Sequence, residues 1–258
     1  MHNPLDFTGR TVLVTGGGKG VGKGITERFL EAGADVAICG RNPPEALPAV
    51  GDREAVFFTC DVRKYDQLEA MINQVVERFG RLDVLVNNAG GAPYAEAASV
   101  SPRFHESIIT LNLTAPLHAA QLANRVMQGQ EDGGSIINIA SVSTIRPSPG
   151  TAAYGAAKAG LVNLGHSLAV EWGPKVRVNA VIAGLVETEQ SHLHYGDAEG
   201  VAAVGRTIPL GRMAVPGDIG NACLFLGSPL SSYVSGTSFA VHGGGEKPAF
   251  LDAANTDR

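Results

Sequence analysis

Short apolar runs alternate with longer stretches of helical periodicity along most of the chain. The apolar runs predict about seven β-strands, at residues 11–15, 35–39, 55–60, 84–86, 135–140, 176–181 and 238–241. Amphipathic stretches between them predict helices at 21–32, 65–79, 102–127, 152–172 and 216–226. Helices of this length can cross over between parallel strands. The pattern therefore predicts an α/β fold with a doubly wound parallel sheet and helices on both of its faces.

The domain organisation can be predicted from the segments that depart from the alternation of strands and helices. We find no Pro/Gly/Ser-rich linker and no repeat of fixed period in the 258 residues, so we predict one Rossmann-like domain over residues 1–258. Residues 187–207 are polar and contain histidines, which is consistent with a substrate lid. Residues 246–258 read as a frayed or partner-contacting C-terminal tail.

Composition and charge narrow the class of protein. With 44% hydrophobic and 17% charged residues, the chain can bury a sizeable core, which excludes long disorder. The formal charge of −5, without a long basic run, argues against a nucleic-acid partner, and no apolar stretch predicts a membrane span. The N-terminus does not resemble a signal peptide. Cys39, Cys60 and Cys223 form no C-x-x-C pair, so we expect buried thiols and a cytoplasmic location.

A glycine-rich turn lies directly between the first predicted strand and the first predicted helix. Its sequence is Thr15-Gly16-Gly17-Gly18-Lys19-Gly20-Val21-Gly22. Without Cβ atoms the backbone can approach a pyrophosphate closely, and the helix N-terminus offers unpaired N–H groups and a partial positive charge. The turn therefore predicts a dinucleotide site, with cofactor contacts from Gly16, Gly18, Lys19, Gly20, Val21 and Gly22.

The choice of dinucleotide depends on the end of the second predicted strand. An acidic residue there would accept hydrogen bonds from a ribose hydroxyl, but the chain has Arg41 instead. A guanidinium at this point, with Lys19 as a second cation, favours a 2′-phosphate and hence NADP(H) over NAD(H). The alternative is that both side chains are solvated surface charges.

A tyrosine and a lysine four residues apart form the candidate catalytic pair. Tyr154 and Lys158 lie in a predicted helix and so share one face of it. A neighbouring ammonium and a cationic nicotinamide would lower the pKa of the phenol, so that Tyr154 can exchange a proton with substrate. Ser141 follows a predicted strand and can hydrogen-bond the substrate oxygen, and Ser143 is a second hydroxyl nearby.

These motifs, in this order and spacing, resemble the short-chain dehydrogenase/reductase family over residues 5–245. The resemblance implies a catalytic tetrad of Asn112, Ser141, Tyr154 and Lys158. It also implies that Tyr154 and Lys158 contact the cofactor, together with Asp61, Val62, Asn88, Ala89, Gly90, Gly184, Val186 and Thr188. One position departs from the family pattern: Ala183 stands where the family usually has proline, so the turn near the nicotinamide loses a fixed φ.

The resemblance implies metal-free hydride transfer between the nicotinamide of NADP(H) and a ketone or secondary alcohol, in a homotetramer paired through long helices. In this interpretation Tyr154 exchanges the proton, Lys158 binds the nicotinamide ribose, Ser141 holds the substrate oxygen and Asn112 supports a water relay to Lys158. The substrate stays open among 3-oxoacyl thioesters, steroids and sugar alcohols. Two alternative functions are a non-catalytic NADP(H)-binding sensor module and a sugar epimerase or dehydratase, although the extra C-terminal region that such epimerases usually need is absent.

Several of these residues also have a purely structural interpretation. Asp61 could cap the following helix, and Asn88 could be an ordinary turn residue. Asn112 could be a satisfied polar residue that bends its helix. His192, His194 and Tyr195 suggest a metal, but a His-x-His pair without a third nearby ligand is more often solvated surface, so we predict no metal site.

Overall fold

The computed structural model describes residues 3–253, apart from the side chain of Asp252. A seven-stranded parallel sheet has the order β5-β2-β1-β6-β7-β8-β9. Its strands are β1 (Thr11–Thr15), β2 (Asp35–Gly40), β5 (Val56–Thr59), β6 (Val84–Asn87), β7 (Gly134–Ser141), β8 (Val176–Ala183) and β9 (Ser238–Val241). The seven predicted strands are confirmed, as is the Rossmann-like fold. The prediction missed a small antiparallel hairpin of β3 (Ala49–Val50) and β4 (Arg53–Glu54).

Helices cover both faces of the sheet. They are α1 (Gly20–Glu31), α2 (Tyr65–Phe79), α3 (Pro102–Ile109), α4 (Ala115–Gly129), α5 (Ala152–Trp172), α6 (His192–Tyr195), α7 (Ala198–Arg206), α8 (Pro216–Gly227) and α9 (Phe250–Ala253). The single helix predicted at 102–127 is divided by a π-helical turn at Thr110–Thr114. Within residues 3–253, no helix is long and apolar enough to cross a membrane.

The core explains why the central strands are mostly apolar. On β1, Leu13 packs into a cluster with α2 and α4, whereas Val12 and Val14 pack into a second cluster with α1 and α8. Successive side chains point to opposite faces, so a strand covered on both faces buries nearly all of its side chains. The buried polar residues on these strands, such as Asn87 and Asn138, hydrogen-bond to each other. Cys39, Cys60 and Cys223 are buried, as expected.

The connections between strands place a cleft at one edge of the sheet. From β1 the chain continues to β2 and β5 on one side, and it then returns to β6, β7, β8 and β9 on the other. Loops that leave the carboxyl ends of β1 and β6 therefore diverge. Ligands of doubly wound sheets bind at this kind of switch point.

The two segments outside the predicted alternation of strands and helices contain short helices. Residues 187–207, predicted as a polar lid, contain α6 and α7. In the predicted tail, Glu246 forms an ion pair with Arg146 and α9 follows. Residues 254–258 of that tail lie outside the described residues.

Candidate active site

An open cleft of about 1540 Å³ runs along the carboxyl ends of the strands. It is larger than a pocket for one drug-sized ligand, about 300–1,000 Å³. The predicted site residues that line it are Gly16, Gly18, Lys19, Gly20, Val21, Gly22, Arg41, Asp61, Val62, Asn88, Ala89, Gly90, Ser141, Tyr154, Lys158, Gly184, Val186 and Thr188. The structure thus brings together in one cleft every residue of the predicted site except Asn112. Asn112 is buried and hydrogen-bonds to Gly91, which lines the cleft.

The glycine turn packs so closely that it leaves no room for larger residues at key positions. A Cβ atom on Gly22 would lie 2.2 Å from the backbone oxygen of Gly16, and one on Gly17 would lie 2.5 Å from Cγ2 of Ile38. Gly16 and Gly20 have φ of +66° and +52°. The backbone of the turn can therefore face the cleft directly, as a pyrophosphate site requires.

Asn88 ties this turn to the end of β6. Its Nδ2 donates to the backbone oxygen of Thr15 at 2.9 Å. The Thr15 hydroxyl in turn accepts from the backbone N–H groups of Asn88 and Ala89, each at 3.0 Å. Asn88 is therefore more than an ordinary turn residue, because it holds the β1 and β6 ends in register beside the cleft.

A carboxylate of the same chain lies at the N-terminus of α1. The backbone N–H of Gly20 donates to a carboxylate oxygen of Glu189 at 3.1 Å. Glu189 lies in the 187–207 segment, next to Thr188. The carboxylate stands in for the negatively charged group that a helix N-terminus prefers. The sequence analysis missed Glu189, although its position beside a predicted cofactor contact was a usable signal.

Cationic groups gather at the β2 and β5 end of the cleft. Arg63 forms a bidentate ion pair with Asp61, with distances of 2.9 Å and 2.6 Å, and it holds the pKa of that carboxyl at about 2. Arg41 is exposed in the same part of the cleft and also lowers the pKa of Asp61. The alternative that Asp61 caps α2 is wrong, since the cap residue is Lys64 and has no side-chain cap bond. The sequence analysis missed Arg63, because its charge alone did not distinguish it from the other basic residues of the chain.

Ser141, Tyr154 and Lys158 meet at the β7 and α5 side of the cleft. Lys158 is buried, and its Nζ donates to the backbone oxygen of Ile139 at 2.7 Å. The same Nζ lies 5.7 Å from the centre of the Tyr154 ring. The Ser141 hydroxyl donates to that of Ser143 at 3.3 Å and accepts from the Ser143 backbone N–H at 3.2 Å. Ser143 therefore orients Ser141, a role that the sequence left open.

Burial governs the protonation of Tyr154 and Lys158. It lowers the pKa of Lys158 to about 8, which leaves the ammonium mostly charged at pH 7. It raises the pKa of Tyr154, and interaction with Ser141 offsets only part of that rise. The ammonium of Lys158 does not lower the Tyr154 pKa as expected. Its Nζ lies over the ring and is hydrogen-bonded to the Ile139 backbone oxygen.

Asn112 lies in the π-helical turn and is fully buried. Its Nδ2 donates to the backbone oxygens of Gly91 and Ile108, at 2.9 Å and 3.0 Å, and its Oδ1 accepts from the Gly91 N–H at 2.9 Å. A Cβ on Gly90 would lie 2.7 Å from that Oδ1 and 3.2 Å from Nζ of Lys158. The side chain thus stabilises the irregular turn and fixes the loop beside Lys158.

The segment after β8 is held on both sides despite the missing proline. Ala183 pairs with Ser141 on β7 and with Val241 on β9. Farther along, the Glu187 N–H donates to the Ala214 oxygen at 2.8 Å, and the Thr188 N–H donates to the Ser191 hydroxyl at 2.8 Å. Strand pairing therefore constrains the backbone that leads to Thr188.

The histidines of the 187–207 segment are exposed, and only His194 lines the cleft. Nδ1 of His192 lies 3.1 Å from the Glu189 backbone oxygen. Across the part of the chain that the structure describes, no three His, Cys, Asp or Glu side chains are grouped so as to hold a metal ion.

Known proteins with similar sequences and structures are oxidoreductases. A family model described as enoyl-(acyl carrier protein) reductase matches residues 16–246. A 3alpha-hydroxysteroid dehydrogenase from Mediterraneibacter gnavus is 36% identical over 91% of this chain and 96% of its own. A 3-oxoacyl-(acyl-carrier-protein) reductase from Chlamydia trachomatis is 34% identical over 91% of this chain and 96% of its own. The aldohexose dehydrogenase of Thermoplasma acidophilum superposes with a TM-score of 0.85 at 29% identity, over 98% of both chains.

Proposed function

Because this chain belongs to the short-chain dehydrogenase/reductase family, we propose that it is an NADP(H)-dependent oxidoreductase that interconverts a ketone and a secondary alcohol. The observation that carries the proposal is the meeting of Ser141, Tyr154 and Lys158 in the cleft that also contains the glycine turn.

The residues present fit a dinucleotide. Gly22 lies where a Cβ would close the turn, and the N–H of Gly20 already donates to a carboxylate, as it would to a phosphate. Arg41 and Arg63 flank the β2 end of the cleft, where a 2′-phosphate would need cations. When bound, the nicotinamide supplies or accepts the hydride.

The chain's own residues would then transfer the proton and position the substrate. Tyr154, kept protonated by burial, donates its proton to the carbonyl oxygen during reduction and accepts one during oxidation. Ser141, oriented by Ser143, holds that oxygen. The ammonium of Lys158 would contact the ribose of the cofactor. Asn112 is a positioning residue in this mechanism, and its water relay stays a prediction.

The Arg41→Asp variant tests the choice of cofactor. A carboxylate in place of the guanidinium repels a 2′-phosphate, so the dissociation constant for NADPH should rise by about tenfold or more relative to that for NADH. Calorimetric titration with both nucleotides measures the ratio. An unchanged ratio removes the NADP(H) assignment.

A panel of ketones and alcohols, assayed with NADPH and NADP⁺, tests the reaction itself. Oxoacyl thioesters, hydroxysteroids and sugar alcohols belong in the panel. An oxidoreductase consumes or forms NADPH with at least one of them, whereas a pure sensor binds the nucleotide and converts none. We favour catalysis over the sensor because nucleotide binding alone does not require the Ser141 hydroxyl and the Tyr154 phenol.

We also propose a homotetramer that pairs through long helices, including α5. The exposed positions of this helix include the small apolar residues Ala152, Ala156 and Ala159, and Val170 is 85% exposed in the isolated chain. Exposed apolar surface of this kind marks sites of contact with other protein chains. Light scattering coupled to size-exclusion chromatography tests the assembly, and a monomer at micromolar concentration contradicts it.

A further inference from the structure

Arg146 is a half-buried cation in the cleft that the proposed mechanism does not use. It follows the Val142–Thr144 turn after β7, and its backbone N–H donates to the Val142 oxygen at 3.2 Å. It therefore lies on the β7 side of the switch point with Ser141 and Ser143, whereas Arg41 and Arg63 lie on the β2 and β5 side. This position belongs to the substrate end of the cleft.

Contacts with two residues fix the orientation of its guanidinium. Nε donates to Oε1 of Glu246 at 2.9 Å, and Nη2 lies 2.7 Å from the same oxygen. Nη1 donates to the backbone oxygen of Pro147 at 3.1 Å. An arginine has five N–H donors, so each terminal nitrogen keeps one more N–H for a ligand.

The carboxylate reaches Arg146 because of the turn before it. Three consecutive glycines, Gly243, Gly244 and Gly245, have φ of +64°, +99° and +86°, a conformation that residues with a Cβ rarely adopt. The turn brings the chain after β9 back over the cleft and places Glu246 beside Arg146.

Tyr195 completes this cluster from α6. Burial raises the pKa of its phenol, Arg146 lowers it and Glu246 raises it, so the three side chains are electrostatic neighbours. Arg146 and Tyr195 both line the cleft. Three separate elements thus converge on one corner of the cleft, where the guanidinium of Arg146 offers further N–H donors.

We propose that Arg146 is a specificity-determining residue that binds an oxyanion, a carboxylate or a phosphate, on the ketone or alcohol substrate. This inference rests on the proposed function, since it names the substrate class of the same cleft. A planar guanidinium held in place with donors on both terminal nitrogens suits a bidentate oxyanion. Neutral steroids and neutral sugar alcohols carry no charged group that could engage these remaining donors.

Matched pairs of ligands test the inference. One arm compares hydroxy acids of three to eight carbons with their methyl esters, and the other compares sugar alcohols with their phosphate monoesters. Binding to the full-length protein is measured by calorimetry, with and without NADP⁺. In at least one pair, the wild type should bind the anion about ten- to a hundredfold more tightly than its neutral partner. The arm that shows the preference identifies the oxyanion.

Two variants separate recognition from a structural ion pair. Arg146→Gln removes the guanidinium and should bring the preference close to one. Glu246→Gln removes the same ion pair but keeps an acceptor oxygen for Arg146, so the preference should stay at least as large as in the wild type. Thermal unfolding of both variants checks that they fold.

The outcomes are distinct. No preference for the anion in any wild-type pair overturns the inference, and so does an equal loss of preference in both variants. Because these are binding measurements, they do not depend on turnover. A protein that prefers the anion but converts no substrate refutes the proposed function and leaves the oxyanion site intact.

Discussion

Replacement of Lys158 by methionine should change how stability depends on pH. The ammonium is buried, and burial lowers its pKa from 10.5 to about 8. Between these values the unfolded chain binds more protons than the folded chain. The free energy of unfolding must therefore rise with pH across this window, and the charged lysine costs most below pH 8.

The size of the effect follows from the two pKa values. At about 1.4 kcal/mol per pH unit, the full difference corresponds to roughly 3 kcal/mol. Between pH 7.5 and 9.5, the part recovered by the wild type is about 2 kcal/mol. Lys158→Met has no such titration, so the wild type should gain this amount relative to the variant.

Urea unfolding of the cofactor-free protein at three pH values across that interval measures the difference. Subtraction of the variant from the wild type removes the titration of all other groups. Lys158→Leu is the matched control, because it changes the packing but should give the same slope. A difference that is independent of pH, or that falls as pH rises, refutes the assignment of Lys158 as a buried ammonium.

Two further predictions concern the glycine turn. Gly22→Ala places a Cβ 2.2 Å from the backbone oxygen of Gly16 and should destabilise the protein by about 3 kcal/mol or more, whereas Gly129→Ala meets nothing within 4 Å and should be nearly neutral. Chemical denaturation of the two variants measures this, and equal stabilities contradict the close packing. Glu189→Gln removes the anion that accepts from the Gly20 N–H, so NADPH should bind about two- to fivefold more tightly. A titration in which the variant binds NADPH more weakly than the wild type shows that Glu189 does not compete with the phosphate.

The sheet was predictable because its strands have a simple sequence pattern. Strands covered on both faces are apolar at several consecutive positions, as in Val12–Val14, and turns rich in glycine separate them from amphipathic helices. The hairpin Ala49–Val50 with Arg53–Glu54 was missed, because two-residue strands are too short to have a periodicity.

Many residues that line the cleft were predictable from the sequence, but several of their interactions were not. Tyr154 and Lys158 are brought together by helical spacing alone. The π-helical turn at Asn112 has no local signal, since it depends on hydrogen bonds to Gly91, 21 residues away. The ion pair of Arg146 with Glu246 joins residues 100 positions apart and could not be read from either segment.

The direction of the Tyr154 pKa shows a similar limit. Sequence spacing places an ammonium near the phenol, but it does not give the depth of burial or the partner of Lys158. In the folded chain, burial outweighs the interaction with Ser141, and the ammonium is engaged by a backbone oxygen. Desolvation and hydrogen bonding are properties of the tertiary structure.

The most direct test of the central claim is a single-turnover measurement on Tyr154→Phe. With NADPH bound and the best ketone of the panel in excess, loss of the phenol should slow nicotinamide oxidation by about a thousandfold. The dissociation constant for NADPH should stay within about threefold of the wild-type value. A variant that oxidises NADPH within tenfold of the wild-type rate would show that another group delivers the proton.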